Sequence, residues 1–291
     1  MKEAAPTQNT TLGSVDSFRR NWIHRAETQR YHFKRGEPEN QIQFAFQSHW
    51  RVFREVLGEV RTGRALEIGC GRGSMGAFFA DAGFETHLVD TSVDALQSAR
   101  ANFNADGLPA AYVTGNALGM PYPDGVFDTV VSIGLLEHFE DIATPLLEQV
   151  RVLRTGGVLL AYIVPERRLS VQKLGDPINF ALALKERLRT RSKETAAPAA
   201  KSPLYRNAYR AEDYLRVLRK ANVLESGSFG MFPVPLVSHS PRFPFSLNSP
   251  ATERRIVRLW EKLLGKPEPG KRDPWKCAES WGLAFLVWAR K

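Results

Sequence analysis

The chain has 291 residues, of which 43% are hydrophobic and 24% are charged. This length fits one large domain, or one domain with substantial additions, and the composition excludes a disordered protein. No apolar run approaches the roughly 18–20 residues that a membrane-spanning helix needs, and residues 1–6 show no apolar core of a secretory signal. Two cysteines cannot form a disulfide scaffold. We therefore expect a cytoplasmic protein without a membrane partner.

The net charge of +9 is unevenly distributed along the chain. Residues 62–165 carry five Lys or Arg and twelve Asp or Glu, a net charge of −7, whereas the flanking residues together carry +16. A uniformly basic chain would favour a nucleic-acid partner. An acidic centre with basic additions favours a cationic ligand in that centre instead.

In chain order, the hydrophobic periodicity predicts helices at 15–31 and 41–60, followed by the alternation that is typical of βαβ units. The alternation comprises a strand at 65–68, a helix at 74–82, a strand at 84–90, a helix at 93–103, strands at 110–113 and 127–133, a helix at 142–153 and a strand at 157–164. Beyond these, we predict helices at 178–189 and 211–221, a strand at 223–229, a helix at 252–264 and a strand at 282–289. Residues 191–201 are polar and small, so we expect them to be mobile. Residues 231–250 contain five prolines and are expected to form an apolar wall.

A glycine-rich loop follows the first strand of this alternation, and its sequence is Glu67-Ile68-Gly69-Cys70-Gly71-Arg72-Gly73. Alternating glycines let the backbone approach a ligand closely, and the helix that follows presents its N–H groups to that ligand. Asp90 ends the next strand, where a carboxylate can accept hydrogen bonds from both hydroxyls of a ribose. The pattern therefore predicts a site for a ribose-containing ligand.

A dinucleotide is the alternative ligand, because residues 71–76 match the fingerprint G-x-G-x-x-G. In that fingerprint the first glycine follows the strand directly, and an alignment from Gly69 places Ser74 at the third glycine. Glu67 would also repel a pyrophosphate, whereas it suits a cation. We therefore favour the cationic ligand.

These residues resemble the class I S-adenosylmethionine-dependent methyltransferase family. The later segments that share the resemblance are Gly115-Asn116-Ala117, Met120 to Asp128, Leu135-Leu136-Glu137-His138 and Val152 to Gly157. The resemblance covers about residues 62–165, the helix–strand unit at 205–229 and the final strand. It implies an α/β protein with a Rossmann-like, seven-stranded, doubly wound sheet, the class I methyltransferase fold, and added helical cap segments.

The resemblance also implies a division of the chain. The expected units are an N-terminal helical cap at 1–61, an S-adenosylmethionine-binding core at 62–165, a lid insertion at 166–210, a continuation of the core at 211–230, an insertion rich in proline and aromatic residues at 231–281, and the last core strand at 282–291.

Cofactor-binding roles follow from the resemblance, residue by residue. The resemblance implies that Gly69, Gly71 and Gly73 line the methionine and ribose portion of S-adenosylmethionine. It places Glu67 near the cofactor's amino group or near the loop, and it implies that Asp90 binds the ribose hydroxyls.

The remaining cofactor contacts implied by the resemblance lie after the second, third and fourth strands. Thr91 is expected beside the adenine, with Asn116 and Ala117 on the adenine side. Asn116 stands where the family normally has an aspartate, so it keeps an acceptor oxygen without a charge. Ile133 and Gly134 are expected beside the methionine end.

Glu137 and His138 lie where the family often places residues at the mouth of the active site. His138 is a candidate general base, with a structural role in its turn as the alternative. Tyr31 and Arg35 are the candidate acceptor-binding residues; His239 and Arg242 are weaker candidates. The six histidines form no metal-binding motif, so no metal is expected.

The leading hypothesis is a methyltransferase for a small molecule, because no nucleic-acid-binding module is apparent. The basic excess of the flanks suits an anionic acceptor. An alternative is an enzyme that consumes S-adenosylmethionine by intramolecular cyclisation or aminocarboxypropyl transfer and releases methylthioadenosine. An RNA methyltransferase and a non-catalytic protein are less favoured.

Overall fold

The computed structural model of the chain describes residues 32–167, 169–190, 205–221, 223–238 and 248–291. Within these ranges, eight strands form one sheet in the order β3-β2-β1-β4-β5-β8-β6-β7. The strands are β1 Arg64–Ile68, β2 Glu85–Asp90, β3 Ala111–Thr114, β4 Phe127–Ile133, β5 Leu153–Ile163, β6 Glu225–Met231, β7 Lys276–Cys277 and β8 Ala284–Arg290. Strands β1 to β5 pair in parallel, whereas β8 is antiparallel to both β5 and β6.

The helices that the structure describes are α1 Gln41–Leu57, α2 Gly76–Asp81, α3 Val93–Asp106, α4 Ala143–Val152, α5 Gln172–Thr190, α6 Ala211–Leu218 and α7 Pro250–Leu264, with a 3₁₀ helix at Leu136–His138. Polar side chains fix several helix starts. Asn40 accepts the N–H groups of Ile42 and Gln43 at the start of α1. Ser92 accepts the N–H of Ala95 at the start of α3, which satisfies a donor that the first turn leaves without a partner.

Alternate residues of the central strands face opposite layers of helices. On β5, Leu159 packs in a cluster with residues of α4 and α6, whereas Leu160 packs in a cluster with residues of α1, α2 and α7. Val130 and Val131 of β4 divide in the same way. Such strands are hydrophobic on both faces, as expected for a doubly wound sheet. The predicted α/β class and sheet are confirmed.

Differences from the predicted elements have local causes. The two-residue strand β7 pairs only with Gly230 and Met231 at the end of the sheet, and it is too short to produce an alternating pattern. Helix α5 begins six residues before the predicted start and contains Pro177, which the sequence pattern treats as a boundary. The predicted helix at 15–31 and the predicted mobile stretch at 191–201 lie outside the described residues.

The sheet positions the functional residues at one edge. Strands β1 and β4 are adjacent, while the chain continues from them to opposite sides of the sheet, and ligands of open α/β sheets bind at such a switch point, beyond the carboxyl ends of the strands. The residues that follow β1 and β4 are the glycine loop and the 3₁₀ helix. In the described ranges, the helices are all too short or too polar to cross a membrane.

Candidate functional site

The glycine loop adopts backbone conformations that are unfavourable for residues with a side chain. Gly69, Gly71 and Gly73 have φ values of 63°, 52° and 70°, in the left-handed region. A Cβ at Gly69 would lie 2.8 Å from a methyl carbon of Leu135, which follows β4. A Cβ at Gly73 would lie 2.7 Å from the Phe103 ring. The loop after β1 therefore packs closely against both neighbouring elements, and a side chain would displace it.

Glu67 binds the chain where the glycine loop leads into α2. Its buried carboxylate accepts the N–H of Met75 at 3.3 Å and the N–H of Gly76, the first residue of α2, at 2.8 Å. Burial raises the pKa of Glu67 to about 8, although these two N–H groups act to lower it. Glu67 thus contacts the start of the helix that follows the glycine loop.

Asp90 connects the loop to the following helix. Its Oδ2 atom accepts the N–H of Gly71 at 2.9 Å, and its Oδ1 atom accepts the N–H of Ser92 at 2.9 Å. Burial raises the pKa of Asp90, while backbone N–H groups oppose the shift. A carboxylate has about four acceptor positions, so two such bonds fix its orientation and leave acceptor capacity for hydroxyl groups.

The residues predicted on the adenine side follow β2 and β3. Thr91 is exposed, and Ala117 is buried. Asn116 is exposed, and its Oδ1 atom accepts the N–H of Leu118 at 3.0 Å, which stabilises its own turn. The side chain that departs from the family pattern is thus already engaged locally through its acceptor oxygen.

The residues predicted at the methionine end lie where β4 finishes. Ile133 is half-buried and is the last residue of β4. Gly134 has a φ of 64° and donates its N–H to the carbonyl oxygen of Tyr162 at 2.9 Å. The end of β4 is therefore fixed to β5 on one side, and Leu135 brings it against Gly69 on the other.

Glu137 is the buried ionisable residue at this end of the sheet. Its side chain is only 1% exposed, and its Oε2 atom has no hydrogen-bond partner among the described residues. Its Oε1 atom lies 3.5 Å from the position that a Cβ at Gly134 would take. Burial raises the pKa of Glu137 to about 7, opposed by backbone N–H groups and by the charge of Arg206. This carboxyl group can therefore exchange a proton near neutral pH.

His138 has a different protonation state. Its Nδ1 atom lies 2.6 Å from the carbonyl oxygen of Tyr205, so Nδ1 carries the proton that is donated in this bond. Burial lowers the pKa of His138 to about 4, against the effect of that bond. The imidazole is neutral at pH 7 and is a weak base, so its geometry corresponds to the structural role that was the alternative for this residue.

Arg35, a predicted acceptor-binding residue, bonds to the ends of two helices. Its guanidinium donates to Asp81 at 2.6 Å and to the carbonyl oxygen of Asp106 at 3.2 Å. These are the last residues of α2 and α3, and Asp106 borders a pocket together with Gly73 and Ser74 of the glycine loop region. Arg35 is exposed there and joins two helix ends. The other candidates, Tyr31, His239 and Arg242, lie outside the described residues.

Asn207 is a site residue that the sequence did not reveal. Its buried side chain donates to the carbonyl oxygens of Leu136 and Phe139, and its backbone N–H donates to the carbonyl oxygen of Glu137 at 2.7 Å. It also accepts from the Tyr214 hydroxyl at 3.3 Å. Asn207 therefore holds the turn that carries Glu137. A single asparagine in an irregular segment gives no sequence signal for this role.

Aromatic and histidine rings connect the segment from His32 through α1 to the glycine loop and to β5. His32 contacts the Ser74 hydroxyl and stacks on Phe46 with ring centroids 4.5 Å apart. His49 lies 4.5 Å from the Tyr162 ring and accepts the indole N–H of Trp275 at 2.9 Å. The N-terminal segment thus packs against the glycine loop and against β5.

The domain match coincides with these site elements. Residues 66–161 match the methyltransferase domain family, a span that runs from β1 through the glycine loop, Asp90 and Glu137 into β5. Residues 66–161 therefore form a domain of the methyltransferase domain family. The predicted resemblance is confirmed over this part of the chain, and the domain match supports S-adenosylmethionine as the cofactor.

Curated methyltransferases are similar to part of this chain. Ajmaline N-methyltransferase from Rauvolfia serpentina is 33% identical over 108 residues, which cover 36% of this chain and 37% of that protein. An O-methyltransferase from Aspergillus nomiae is 31% identical over 127 residues, which cover 42% of this chain and 56% of that protein. The matched regions thus span 37% to 56% of the lengths of these relatives.

The fold similarity extends beyond the matched domain. A solved structure from Galdieria sulphuraria, assigned as a sarcosine dimethylglycine methyltransferase, is similar with a TM-score of 0.54 at 18% identity. The similarity covers 95% of this chain and 98% of that one, and it shows the shared fold.

Proposed function

We propose that this methyltransferase transfers a methyl group from S-adenosylmethionine to a small-molecule acceptor. The observation that carries the proposal is the buried Glu137 carboxyl group, whose Oε2 atom has no partner in the described part of the chain and which lies beside Gly134 at the end of β4. Buried polar groups are normally satisfied, so an unsatisfied one at a ligand-binding edge supports a site that a ligand completes. Ajmaline, in the name of one relative, is a small molecule.

The residues present fit S-adenosylmethionine. The glycines at 69 and 73 let the loop lie directly against Leu135 and Phe103 at the end of β1, where a Cβ would lie 2.8 Å and 2.7 Å from those side chains. Asp90 would hold the ribose hydroxyls through the acceptor capacity left by its two backbone bonds. Gly134 and Ile133 would border the methionine end, beside Glu137. Glu67 would act on the loop, because its own acceptors are engaged with α2.

The bound cofactor supplies an activated methyl group, which an acceptor takes in one in-line displacement. Glu137 would accept the proton that an O–H or N–H acceptor loses, at Oε2, because burial brings the pKa of this carboxyl group to about 7. Asn207 would keep the turn that carries Glu137 in place. His138 would orient the same turn through its bond to the Tyr205 carbonyl oxygen rather than remove a proton.

The segments outside the matched domain would enclose the acceptor. We retain the division at 1–61, 166–210 and 231–281 for the enclosing segments as part of the proposal. Its support in the first segment is the contact of His32 with Ser74 and of His49 with Tyr162. The net charge of +16 in the residues flanking 62–165 suits an anionic acceptor.

Product analysis tests the proposal. The purified chain is incubated with S-adenosylmethionine alone and then with pools of small metabolites, and the nucleoside product is identified by mass. We expect S-adenosylhomocysteine only when an acceptor is present. Methylthioadenosine formed above its spontaneous rate by protein and cofactor alone would contradict methyl transfer and support the alternative chemistry.

A further inference from the structure

Tyr162 is a buried tyrosine at the end of β5 that has no assigned role in the candidate site. It is 5% exposed, and it pairs with Ile133, the last residue of β4. In the described ranges, its hydroxyl group has no hydrogen-bond partner. Burial and the charge of Glu137 raise the pKa of this phenol well above its usual value, so it stays protonated and is available as a hydrogen-bond donor.

Tyr162 and Glu137 are connected through Gly134. The carbonyl oxygen of Tyr162 accepts the N–H of Gly134 at 2.9 Å, and Glu137 Oε1 lies 3.5 Å from the Cβ position of Gly134. The N–H of Val164, two residues after Tyr162, also acts on the Glu137 carboxyl group and lowers its pKa, so this group lies beside the end of β5. A hydroxyl donor and the acceptor atom Oε2, each without a partner among the described residues, thus occupy the same end of two paired strands.

Packed rings hold the Tyr162 side chain in place. The His49 ring lies 4.5 Å from the Tyr162 ring, and its Nδ1 atom accepts the indole N–H of Trp275 at 2.9 Å. Phe232 packs on both partners, with ring centroids 5.8 Å from His49 and 4.9 Å from Trp275. Its φ of 67° lies in the left-handed region, which is strained for a bulky side chain. Such strain persists where the surrounding structure requires it, and it is common at functional sites.

We propose that the Tyr162 hydroxyl group binds the reacting atom of the acceptor, and that this atom is the oxygen of a hydroxyl group. The inference rests on the proposed function and names the class of acceptor. A hydroxyl oxygen has two lone pairs, so it can attack the methyl carbon with one pair while the other accepts the Tyr162 O–H. A neutral amine nitrogen has a single lone pair, which the displacement uses. A donor beside a base therefore favours oxygen over nitrogen.

Each residue has a separate task in this step. The hydroxyl proton of the acceptor passes to Oε2 of Glu137, the bond between oxygen and the methyl carbon forms, and the bond between the methyl carbon and sulfur breaks, which releases S-adenosylhomocysteine. Tyr162 keeps its own proton. Its hydrogen bond strengthens as the acceptor oxygen gains negative charge, because bonds to charged acceptors are stronger than bonds to neutral ones. The interaction therefore stabilises the transition state more than the bound acceptor.

The position of the transferred methyl group tests the class of acceptor. The full chain is incubated with S-adenosylmethionine and two metabolite pools, one of phenols and alcohols and one of amines without hydroxyl groups, and fragment masses locate the methyl group in each product. We expect methyl ethers from the first pool and no product from the second. Methylation at nitrogen or carbon, with release of S-adenosylhomocysteine, would overturn this inference and leave the proposed function in place. If neither pool releases S-adenosylhomocysteine, the proposed function fails and this inference fails with it.

Tyr162→Phe removes only the hydroxyl group and tests its role in two independent measurements. In urea unfolding, the midpoint should not fall, because no described residue loses a hydrogen bond. With a hydroxyl acceptor, kcat should fall about 10- to 100-fold, as for the loss of one donor to a developing negative charge, while the affinity for S-adenosylmethionine stays unchanged.

The matched control is Tyr112→Phe on β3. Tyr112 is half-buried, and its ring lies 4.9 Å from the Arg100 guanidinium, a contact that phenylalanine retains. We expect this variant to keep the kcat and the unfolding midpoint of the wild type. A kcat of Tyr162→Phe equal to that of the control, or a lower unfolding midpoint in Tyr162→Phe alone, would overturn the proposal, because the hydroxyl group would then act within the protein and not on the acceptor.

Discussion

Asn207→Ala is expected to destabilise the protein and to impair the Glu137 turn together. The substitution removes the bond to the Phe139 carbonyl oxygen at 2.9 Å and the bond from the buried Tyr214 hydroxyl at 3.3 Å. The Leu136 carbonyl oxygen still has the N–H of Phe139 at 3.4 Å, so two buried groups lose their partner in these bonds. An unsatisfied buried group costs about 1–3 kcal/mol, so the loss of two partners is expected to lower the free energy of unfolding by about 2–6 kcal/mol.

Urea unfolding of the variant measures this loss, with Asn104→Ala on the exposed side of α3 as the control. The control should stay within about 0.5 kcal/mol of the wild type. In assays below the unfolding transition, Asn207→Ala should lower kcat more than it weakens cofactor binding, since the turn that it holds carries Glu137. A change in unfolding free energy no larger than that of the control would refute the reasoning.

Three further predictions concern the protonation of Glu137 and His49 and the role of Arg35. The rate of methyl transfer should rise with pH through about 7 as Glu137 ionises, and Glu137→Gln should remove this dependence. A pH–rate profile of the variant that equals that of the wild type would exclude Glu137 as the base. Burial lowers the pKa of His49 to about 3, so this group binds its proton less tightly in the folded chain than in the unfolded chain, and stability should be lost as the pH falls from about 6.5 toward 3. His49→Gln should reduce that slope in urea unfolding, and an equal slope would contradict it. Arg35→Ala removes an exposed ion pair with Asp81, so the free energy of unfolding should change by at most about 1 kcal/mol. The value of kcat/KM should stay within about twofold, and a large loss would support the predicted role of Arg35 in acceptor binding.

Local sequence patterns were sufficient for the core of the fold. The strand that ends at Ile68, the left-handed glycines and the acid at position 90 are specified by neighbouring residues, so they could be read from spacing alone. The same holds for β4, whose observed ends equal the predicted ones.

Features that depend on long-range contacts could not be read in this way. Asn207 acts on residues about 70 positions earlier in the chain, and His49 meets Trp275 across 226 positions. The pattern of α5 predicts an amphipathic helix, but it does not reveal which face packs on the protein. The residues around Arg35 do not reveal that its partners are the ends of α2 and α3, because these lie 46 and 71 positions later in the chain.

The affinity for S-adenosylmethionine, measured by calorimetry on the wild type and two matched variants, tests the central claim most directly. Asp90 carries the backbone bonds of the glycine loop, whereas Asp94 lies in the first turn of α3, without those bonds. We expect the wild type to bind, Asp94→Ala to bind with similar affinity, and Asp90→Ala to bind roughly 1.5–3 kcal/mol more weakly, a loss of about 10- to 150-fold. A wild type that does not bind S-adenosylmethionine, or an Asp90→Ala variant that binds it as tightly as Asp94→Ala, would contradict the account.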